Sequence, residues 1–243
     1  MTDPTTIEVS VVIPCLNEAE TIGACIQKAQ QSFQKNNIEG EIIISDNGST
    51  DDSIKIATAL GARVILEKHK GYGSALRKGI ESARGKYVVM GDADDSYDFS
   101  ELQNFIFELR KGWDFVMGTR LRGTILPRAM PLHHRYFGVP GLTLILDILF
   151  WVWISDAHCG LRAFTKKGYD KMKIQSTGME FASEIIIQAK LQKLRISEIP
   201  IIFYPAGRKR HPHLRSFRDG LRHLKLIFSL FINQFFNVKK EIL

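Results

Sequence analysis

The stretch EVSVVIPCLNEAETIGACIQKAQQSF, residues 8–33, predicts a buried β-strand, a polar turn and an amphipathic helix in succession. Its first part is a nearly continuous apolar run, which is typical of a strand covered on both faces. In the second part Ile22, Cys25, Ala29 and Phe33 recur at helical spacing and share one face. A covered strand followed by such a helix is the beginning of a βαβ unit, and therefore of a parallel sheet.

Further short runs rich in Val and Ile continue this pattern, and helical stretches separate the first four of the five runs. The later runs are EIIIS (41–45), ARVIL (62–66), KYVVMG (86–91) and DFVMG (114–118). We therefore predict an α/β fold with a mostly parallel central sheet flanked by helices. A chain of 243 residues suits one large domain, or one domain with an appendage.

The net charge of +7 belongs to one end of the chain. From residue 205 onward there are nine Lys or Arg residues and two acidic ones, so the first 204 residues hold 24 of each sign. The three cysteines, Cys15, Cys25 and Cys159, are odd in number and widely spaced. This disfavours a disulfide framework or a zinc cluster and favours a reducing compartment. The N-terminal residues MTDPTTIEVS lack the basic region and apolar run of a signal peptide.

Three polar turns are predicted to meet at one edge of the sheet. PCLNE (14–18) follows the first strand, DNGSTDD (46–52) the second and DADDSYD (92–98) the fourth. We expect a ligand site there, because open α/β sheets bind ligands beyond the carboxyl ends of their strands. The segment GYGSALRKG (71–79) lacks the third glycine of a dinucleotide fingerprint and does not follow a strand. We interpret it as a loop and a helix start.

The turn after the fourth strand holds four aspartates: Asp92, Asp94, Asp95 and Asp98. An EF-hand loop is excluded because Tyr97 stands where that loop needs glycine, and Gln103 where it needs glutamate. A solvated loop is a weak explanation, since clustered like charges at a buried strand end are costly without a cation. Oxygen ligands at such a place favour Mg²⁺ or Mn²⁺, which leave positions open for substrate phosphates.

Two later segments are apolar or amphipathic. LTLILDILFWVWI (142–154) is shorter than the roughly 20 residues that span a bilayer, so it is either a core helix or an interfacial one. Trp151 and Trp153 suit the headgroup boundary in the second case. Residues 214–236 combine basic side chains with Leu, Ile and Phe at helical spacing, which predicts a helix that lies on an anionic membrane or packs on the domain.

Several motifs in their order and spacing identify a family resemblance. VVIPCLNEAETI, IIISDNGSTDDS and YVVMGDADDSYDF resemble the family 2 glycosyltransferases of the GT-A fold. VMGTRLRG, HHRYFGVP, ISDAHCGLRAF, GMEFASE and EIPIIFY make the chain similar to the dolichyl- and polyprenyl-phosphate sugar synthases. The resemblance covers roughly residues 7 to 204. It implies a GT-A domain over 1–204, and the residues of 205–243 themselves predict a basic amphipathic tail that associates with membranes.

The resemblance also implies the parts of a site. The residues that would bind the nucleotide sugar are Pro14, Leu16, Asn17, Glu18, Asp46 and Asp92. Asp92 and Asp94 would be the D-x-D pair that binds Mg²⁺ or Mn²⁺, with Asp94 most directly on the metal. Those that match positions for the acceptor phosphate are Arg120, Arg135 and, more loosely, Arg208 and Arg215. Asp156 matches a carboxylate needed for activity, and Glu184 matches an acidic position.

The implied function is inverting transfer of a hexose, mannose or glucose, from a GDP- or UDP-sugar to a polyprenyl or dolichyl phosphate. The enzyme would be peripheral on the cytoplasmic face of a membrane. An acceptor phosphate is already ionised at neutral pH, so no general base is strictly required, and we assign Asp156 to orientation and electrostatics.

Two other functions stay open at this point. A family 2 transferase acting on a saccharide hydroxyl would need a carboxylate base. A non-catalytic module would bind nucleotide or membrane without turnover. Nucleic acid is a weaker interpretation of the basic tail, because its aromatic residues are all Phe and interleave with Leu and Ile. The sequence leaves open the sugar, the nucleoside, the lipid length and the oligomeric state.

Overall fold

One seven-stranded sheet organises the chain, and the predicted α/β class is confirmed. The computed structural model describes residues 7–208 and 216–241. The five strands expected from the sequence are present, and the fifth continues well beyond its predicted end at residue 118. The strands are β1 Val9–Cys15, β2 Gly40–Asp46, β3 Arg63–Leu66, β4 Tyr87–Met90, β5 Phe115–Ile125, β6 Arg162–Thr165 and β7 Ile196–Phe203.

The order of the strands is β3-β2-β1-β4-β6-β5-β7. β1 pairs in parallel with both β2 and β4, so Val12 lies between Ile43 and Met90. β2 and β3 are also parallel, as are β5 and β7. β6 runs antiparallel between β4 and β5. The sheet is therefore mostly parallel, as predicted, and the carboxyl ends of β1, β2 and β4 share one edge.

Helices cover both faces of the sheet, which explains the continuous apolar runs of the strands. The four residues of the predicted helix face are all buried among the first core cluster, which also takes side chains from α2 and α4. The second cluster joins the other face of the sheet to α3, α5, α7 and α8. The helices are α1 Ile22–Lys35, α2 Ser53–Ala59, α3 Tyr72–Glu81, α4 Leu102–Arg110, α5 Val139–Phe150, α6 Lys166–Tyr169, α7 Phe181–Leu191 and α8 Ser216–Glu241.

The predicted tail contains one long helix, α8. It packs on α5 and α7, and Ile227 is fully buried in the second core cluster. The division of the chain at residue 204 stays a prediction, but this helix is joined to the domain rather than detached from it. Within the described residues, no helix combines the length and apolarity needed to cross a bilayer. Arg215 lies outside the described residues.

Candidate active site

The turns after β1 and β2 are tied to each other by hydrogen bonds. Asn17 adopts a left-handed backbone with φ 56°, which asparagine tolerates better than most residues. Its backbone N–H donates to the Ser49 hydroxyl at 2.8 Å, and its side-chain oxygen accepts from the Thr50 N–H at 2.6 Å. Glu18 is buried, and its N–H donates to the Ser53 hydroxyl at 2.8 Å. Two of the three predicted turns therefore form one surface.

Asp46 is buried at the end of β2 and shapes its own turn. Its carboxylate accepts the backbone N–H of Gly48 at 2.8 Å and that of Ser49 at 3.0 Å. Pro14, in β1, pairs with Ser45, and places the residues of the first turn beside this one. Five of the residues predicted to bind a nucleotide sugar are thus neighbours: Pro14, Leu16, Asn17, Glu18 and Asp46. Their role in binding stays a prediction.

Asp92 receives a hydrogen bond that the sequence did not reveal. The Tyr72 hydroxyl, at the start of α3, donates to Asp92 Oδ1 at 2.8 Å. On the other side Gly160 lies so close that a Cβ there would be 2.6 Å from Asp92 Oδ2. Burial and the neighbouring charge of Asp94 raise the pKa of Asp92 to about 6, although the Tyr72 hydrogen bond lowers it. Burial and a neighbouring carboxylate thus both disfavour the ionised form of Asp92.

Asp94 is bound by its own loop and by a distant arginine. Its Oδ1 accepts from the Ser96 N–H at 3.1 Å and from the Ser96 hydroxyl at 2.5 Å. Arg208 Nη2 lies 3.2 Å from Asp94 Oδ2, while its Nη1 donates to Glu18. The Gly207 N–H donates to the Asp94 carbonyl at 2.8 Å. The structure therefore places Arg208 beside the D-x-D pair and the first turn.

The other two aspartates of the opening cluster have local roles. Asp95 forms an ion pair of 2.7 Å with Lys28. Asp98 accepts the Ser100 N–H at 2.9 Å and begins the short helical turn that follows. These contacts support the loop, and neither residue belongs to the D-x-D pair.

The D-x-D pair fits a hard divalent cation. No group of three or more His, Cys, Asp or Glu side chains in the described ranges is placed to hold a metal. The available donors are carboxylate oxygens of Asp92 and Asp94, whose mutual repulsion a cation would relieve. Oxygen donors in small number suit Mg²⁺ or Mn²⁺, which take their remaining ligands from water and substrate phosphates. We therefore retain the prediction that these two residues hold the cation.

Arg120 and Asp156 form a buried ion pair at the same edge. Arg120 Nε and Nη2 donate to the two carboxylate oxygens of Asp156 at 2.7 and 2.8 Å. The Arg120 backbone N–H adds a bond of 3.0 Å, and that of His158 one of 3.3 Å. Asp156 is fully buried. Asp156 therefore fixes the orientation of the Arg120 guanidinium. Its described hydrogen bonds all come from Arg120 and the His158 backbone, so in this geometry it is a positioning residue.

A buried arginine holds the turn that carries Asp156. Arg162 is fully buried and donates to the carbonyls of Cys159, Ala157 and Ala182 at 2.7, 2.9 and 2.8 Å. The first two belong to the Asp156 turn, and the third lies in α7. Sequence reasoning assigned no role to Arg162, although this residue lies in the motif CGLRAF.

Arg135 lies in a π-helical turn, His134–Gly138, that precedes α5. Its guanidinium is 5.5 Å from the centre of the Tyr136 ring, and none of its described contacts joins it to Arg120 or Asp156. This turn is still close to the site: burial, His133 and the charge of Arg120 together lower the pKa of His134. The proposed contact of Arg135 with an acceptor phosphate stays a prediction.

The GYG segment, interpreted from sequence as a loop and helix start, contributes Tyr72 to the site. Gly71 has φ 138°, and a Cβ there would be 2.0 Å from the Thr177 carbonyl oxygen. Glu184 holds this facing loop, because its carboxylate accepts the N–H of Ser176 at 2.7 Å and that of Gln175 at 3.0 Å. Glu184 therefore has a structural role here. The two glycines of the motif, Gly71 and Gly73, were the sequence signal that another stretch of backbone, residues 176–178, passes close to this turn.

Comparisons with known proteins agree with this architecture. Residues 10–173 match the family model described as glycosyl transferase family 2. The low-salt glycan biosynthesis hexosyltransferase Agl6 of Haloferax volcanii is 43% identical over 219 residues, covering 90% of this chain and 52% of Agl6. The chain thus spans about half the length of that relative. Glycosyltransferase AglJ of the same organism is 28% identical over 218 residues, covering 89% of this chain and 70% of AglJ.

A solved structure shows the same fold. Glucosyl-3-phosphoglycerate synthase from Mycobacterium tuberculosis superposes with a TM-score of 0.73 at 19% identity, over 92% of this chain and 79% of that one. At this identity the likeness concerns the fold, and it confirms the expected GT-A architecture. Because the family model covers well over half of its length, this chain belongs to glycosyl transferase family 2.

Proposed function

We propose that this chain is an inverting hexosyltransferase that uses a nucleotide sugar, Mg²⁺ or Mn²⁺, and a polyprenyl or dolichyl phosphate at the cytoplasmic face of a membrane. One observation carries the proposal: the carboxylate pair Asp92–Asp94 and the buried pair Arg120–Asp156 lie at one edge of the sheet. The charge of Arg120 is close enough to lower the pKa of Asp92, which burial and Asp94 raise. One pair suits a diphosphate bound through a cation, and the other suits an acceptor phosphate.

The relatives support the donor and the cation. Agl6 is described as a hexosyltransferase. The structures of glucosyl-3-phosphoglycerate synthase hold Mn²⁺ with UDP-glucose and phosphoglyceric acid. A hexose donor linked to a nucleotide, and a phosphate group on the acceptor, are therefore consistent with what these proteins bind.

The chemistry follows from the charges at the site. When bound, the divalent cation neutralises the nucleoside diphosphate that departs. Arg120, oriented by Asp156, holds an oxygen of the acceptor phosphate in line with the anomeric carbon. That oxygen forms the new bond to this carbon while the bond to the diphosphate breaks, the electron pair leaves with the diphosphate, and the configuration inverts. The attacking oxygen carries no proton that must be removed, because the second pKa of such a phosphate is about 6.

Helix α8 supports a peripheral membrane location. Phe217, Leu221 and Phe228 are exposed along it, and the basic Arg218 and Lys225 lie among them. Exposed apolar residues flanked by cations are typical of helices that lie on anionic membranes. We therefore propose that α8 attaches the enzyme to the membrane that contains its acceptor.

Transfer of radiolabelled mannose or glucose to polyprenyl phosphate tests the proposal. We expect Asp94→Asn to lower the rate by at least about a hundredfold, because the cation stabilises the leaving group by several kcal/mol. Asp95→Asn is the matched control: it removes a carboxylate from the same loop, one that pairs with Lys28. Equal activity of the two variants would refute the role of Asp94.

The choice of acceptor separates the alternatives. Transfer to a saccharide hydroxyl and not to polyprenyl phosphate would show that the acceptor is a sugar. Such a reaction needs a general base. Asp156 is poorly suited to that task, since Arg120 occupies both of its oxygens. Binding of a nucleotide sugar with no transfer to either acceptor would indicate a non-catalytic module.

A further inference from the structure

Helix α5 exposes an apolar stripe that neither the core nor the proposed reaction uses. Leu144, Ile148 and Trp151 follow one another at spacings of four and three residues and are 56%, 56% and 66% exposed. The opposite face, which includes Leu146 and Phe150, is buried in the second core cluster. The helix is therefore apolar on both sides, although only one side has a protein partner among the described residues.

The turn after α5 keeps two tryptophan side chains exposed, although its backbone is strained. Trp151 and Trp153 have φ of 56° and 59°, in the left-handed region that bulky residues avoid. Asp147 keeps the turn in this shape: its carbonyl accepts the Trp151 N–H at 2.7 Å, and its carboxylate accepts the Ile154 N–H at 3.1 Å. Trp153 is 65% exposed. Strain that the surroundings maintain in this way indicates that the outward position of the two rings has a use.

The stripe continues beyond α5 in both directions. Tyr136 and Phe137, in the π-helical turn before it, are 60% and 77% exposed. The face of α5 that packs on α8, where the Phe150 and Phe231 rings are 6.1 Å apart, is the buried one. The exposed stripe ends on the other side at Trp151 and Trp153. We call its six large side chains the α5 surface: Tyr136, Phe137, Leu144, Ile148, Trp151 and Trp153.

The segment that carries the α5 surface is net positive. Between residues 121 and 155 the basic side chains are Arg122, Arg128 and Arg135, and the sole acidic one is Asp147, which is buried. Arg122 pairs with Glu198 at 3.6 Å, and the Arg135 guanidinium lies 5.5 Å from the centre of the Tyr136 ring, within the α5 surface. A symmetric contact between two copies would bring two net-positive segments together, whereas anionic lipid headgroups complement them.

We propose that the α5 surface inserts into the headgroup region of a bilayer that contains anionic lipids. Tryptophan and tyrosine are the residues that favour this region, and Arg135, beside Tyr136, pairs with the phosphates. Trp153 is followed three residues later by Asp156, the partner of Arg120. The inserted surface thus borders the site and brings the membrane to the arginine that would hold a lipid phosphate. In this last respect the inference rests on the proposed function.

Vesicle sedimentation of the full chain tests the proposal, with phosphatidylcholine vesicles that either contain or lack phosphatidylglycerol. We expect tighter binding when phosphatidylglycerol is present. The variant Phe137→Ser/Trp151→Asn should bind at least about tenfold more weakly, since two large apolar side chains no longer leave water. The matched control is Leu66→Ser/Phe107→Ser, which removes two side chains that are 63% and 57% exposed elsewhere on the molecule.

A second measurement keeps the wild-type surface intact. The chain has three tryptophans, so Trp113→Phe leaves Trp151 and Trp153 as its only ones. Lipids brominated near the headgroup should quench most of the fluorescence of this variant on binding. Absence of quenching would overturn the proposal, as would wild-type vesicle binding by Phe137→Ser/Trp151→Asn. A change from dimer to monomer in that variant, with vesicle binding unchanged, would assign the surface to self-association instead.

The transfer assay in detergent micelles distinguishes this inference from the proposed function. Retained transfer by Phe137→Ser/Trp151→Asn, together with weak vesicle binding, is the expected pair of results. If vesicle binding behaves as expected but the wild type transfers no hexose to polyprenyl phosphate, the membrane surface stands and the acceptor is wrong. If transfer occurs but the α5 surface does not affect vesicle binding, only the membrane inference fails.

Discussion

Removal of one oxygen atom, by Tyr72→Phe, is the most direct test of how the D-x-D pair is prepared for a cation. The Tyr72 hydroxyl donates to Asp92 Oδ1 at 2.8 Å and lowers a pKa that burial and Asp94 raise to about 6. A hydrogen bond to a charged acceptor contributes about 1.5 to 3 kcal/mol, which corresponds to roughly a 10- to 150-fold change in an equilibrium constant. Loss of this bond should raise the pKa of Asp92 further and leave more of the carboxyl protonated, so at pH 7 we expect the variant to bind Mn²⁺ together with a nucleotide sugar about two- to fifteenfold more weakly.

Titration calorimetry at fixed pH measures this affinity, and urea unfolding of the same variant measures any general loss of stability. Tyr169→Phe is the matched control, because it removes a buried phenol hydroxyl whose ring stacks on Phe164 rather than in the site. Asp92→Asn sets the scale for complete loss of the carboxylate. Our reasoning is refuted if Tyr72→Phe binds like the wild type while Asp92→Asn binds weakly, since Asp92 would then need no hydroxyl to prepare it.

Three further predictions concern other charged groups. Arg208→Ala should tighten Mn²⁺ binding without nucleotide about fivefold, because the guanidinium no longer competes for Asp94; weaker binding in Mn²⁺ titrations followed by electron paramagnetic resonance would contradict this. Burial lowers the pKa of His223 from 6.5 to about 4. As the pH falls, the imidazole of His223 is therefore protonated in the unfolded chain before it is protonated in the folded one. Between about pH 7.5 and about pH 5 the free energy of unfolding should fall by roughly 2 kcal/mol more in the wild type than in His223→Gln. Urea titrations of both proteins measure this difference. Glu184→Gln should lower the free energy of unfolding by about 1 to 3 kcal/mol, because it weakens the hydrogen bonds from Ser176 and Gln175. The control Glu81→Gln, at an exposed helix position, should change it by less than about 0.5 kcal/mol in the same experiment.

The first half of the fold is predictable because its signals are local. A strand buried on both faces must be apolar throughout, and each of the first four observed strands lies within two residues of its predicted bounds. The antiparallel strand β6 carries no comparable signal. It has only four residues, Arg162–Thr165, and begins with a buried arginine that a sequence pattern marks as polar. Its direction follows from long-range pairing with β4 and β5, which no local pattern encodes.

Helix α5 shows a second limit of pattern reading. An apolar run of this kind is equally compatible with a core helix and an interfacial one, and the structure contains features of both. Leu146 is fully buried, whereas Ile148, two residues later, is 56% exposed. Periodicity reports which residues share a face, but the partner of that face depends on where the rest of the chain packs.

The site shows most clearly what residue types alone leave undetermined. The family resemblance implied roles for Asp94, Asp156, Arg120 and Arg208, but a charge acquires its role from its partner. Arg120 is committed to Asp156 through two side-chain hydrogen bonds, so that carboxylate orients a cation and is badly placed to accept a proton from a substrate. Arg208 instead bridges Glu18 and Asp94, a candidate metal ligand, so binding of a cation to Asp94 must compete with it. These pairings join residues 36 and 114 positions apart, and only the folded chain specifies them.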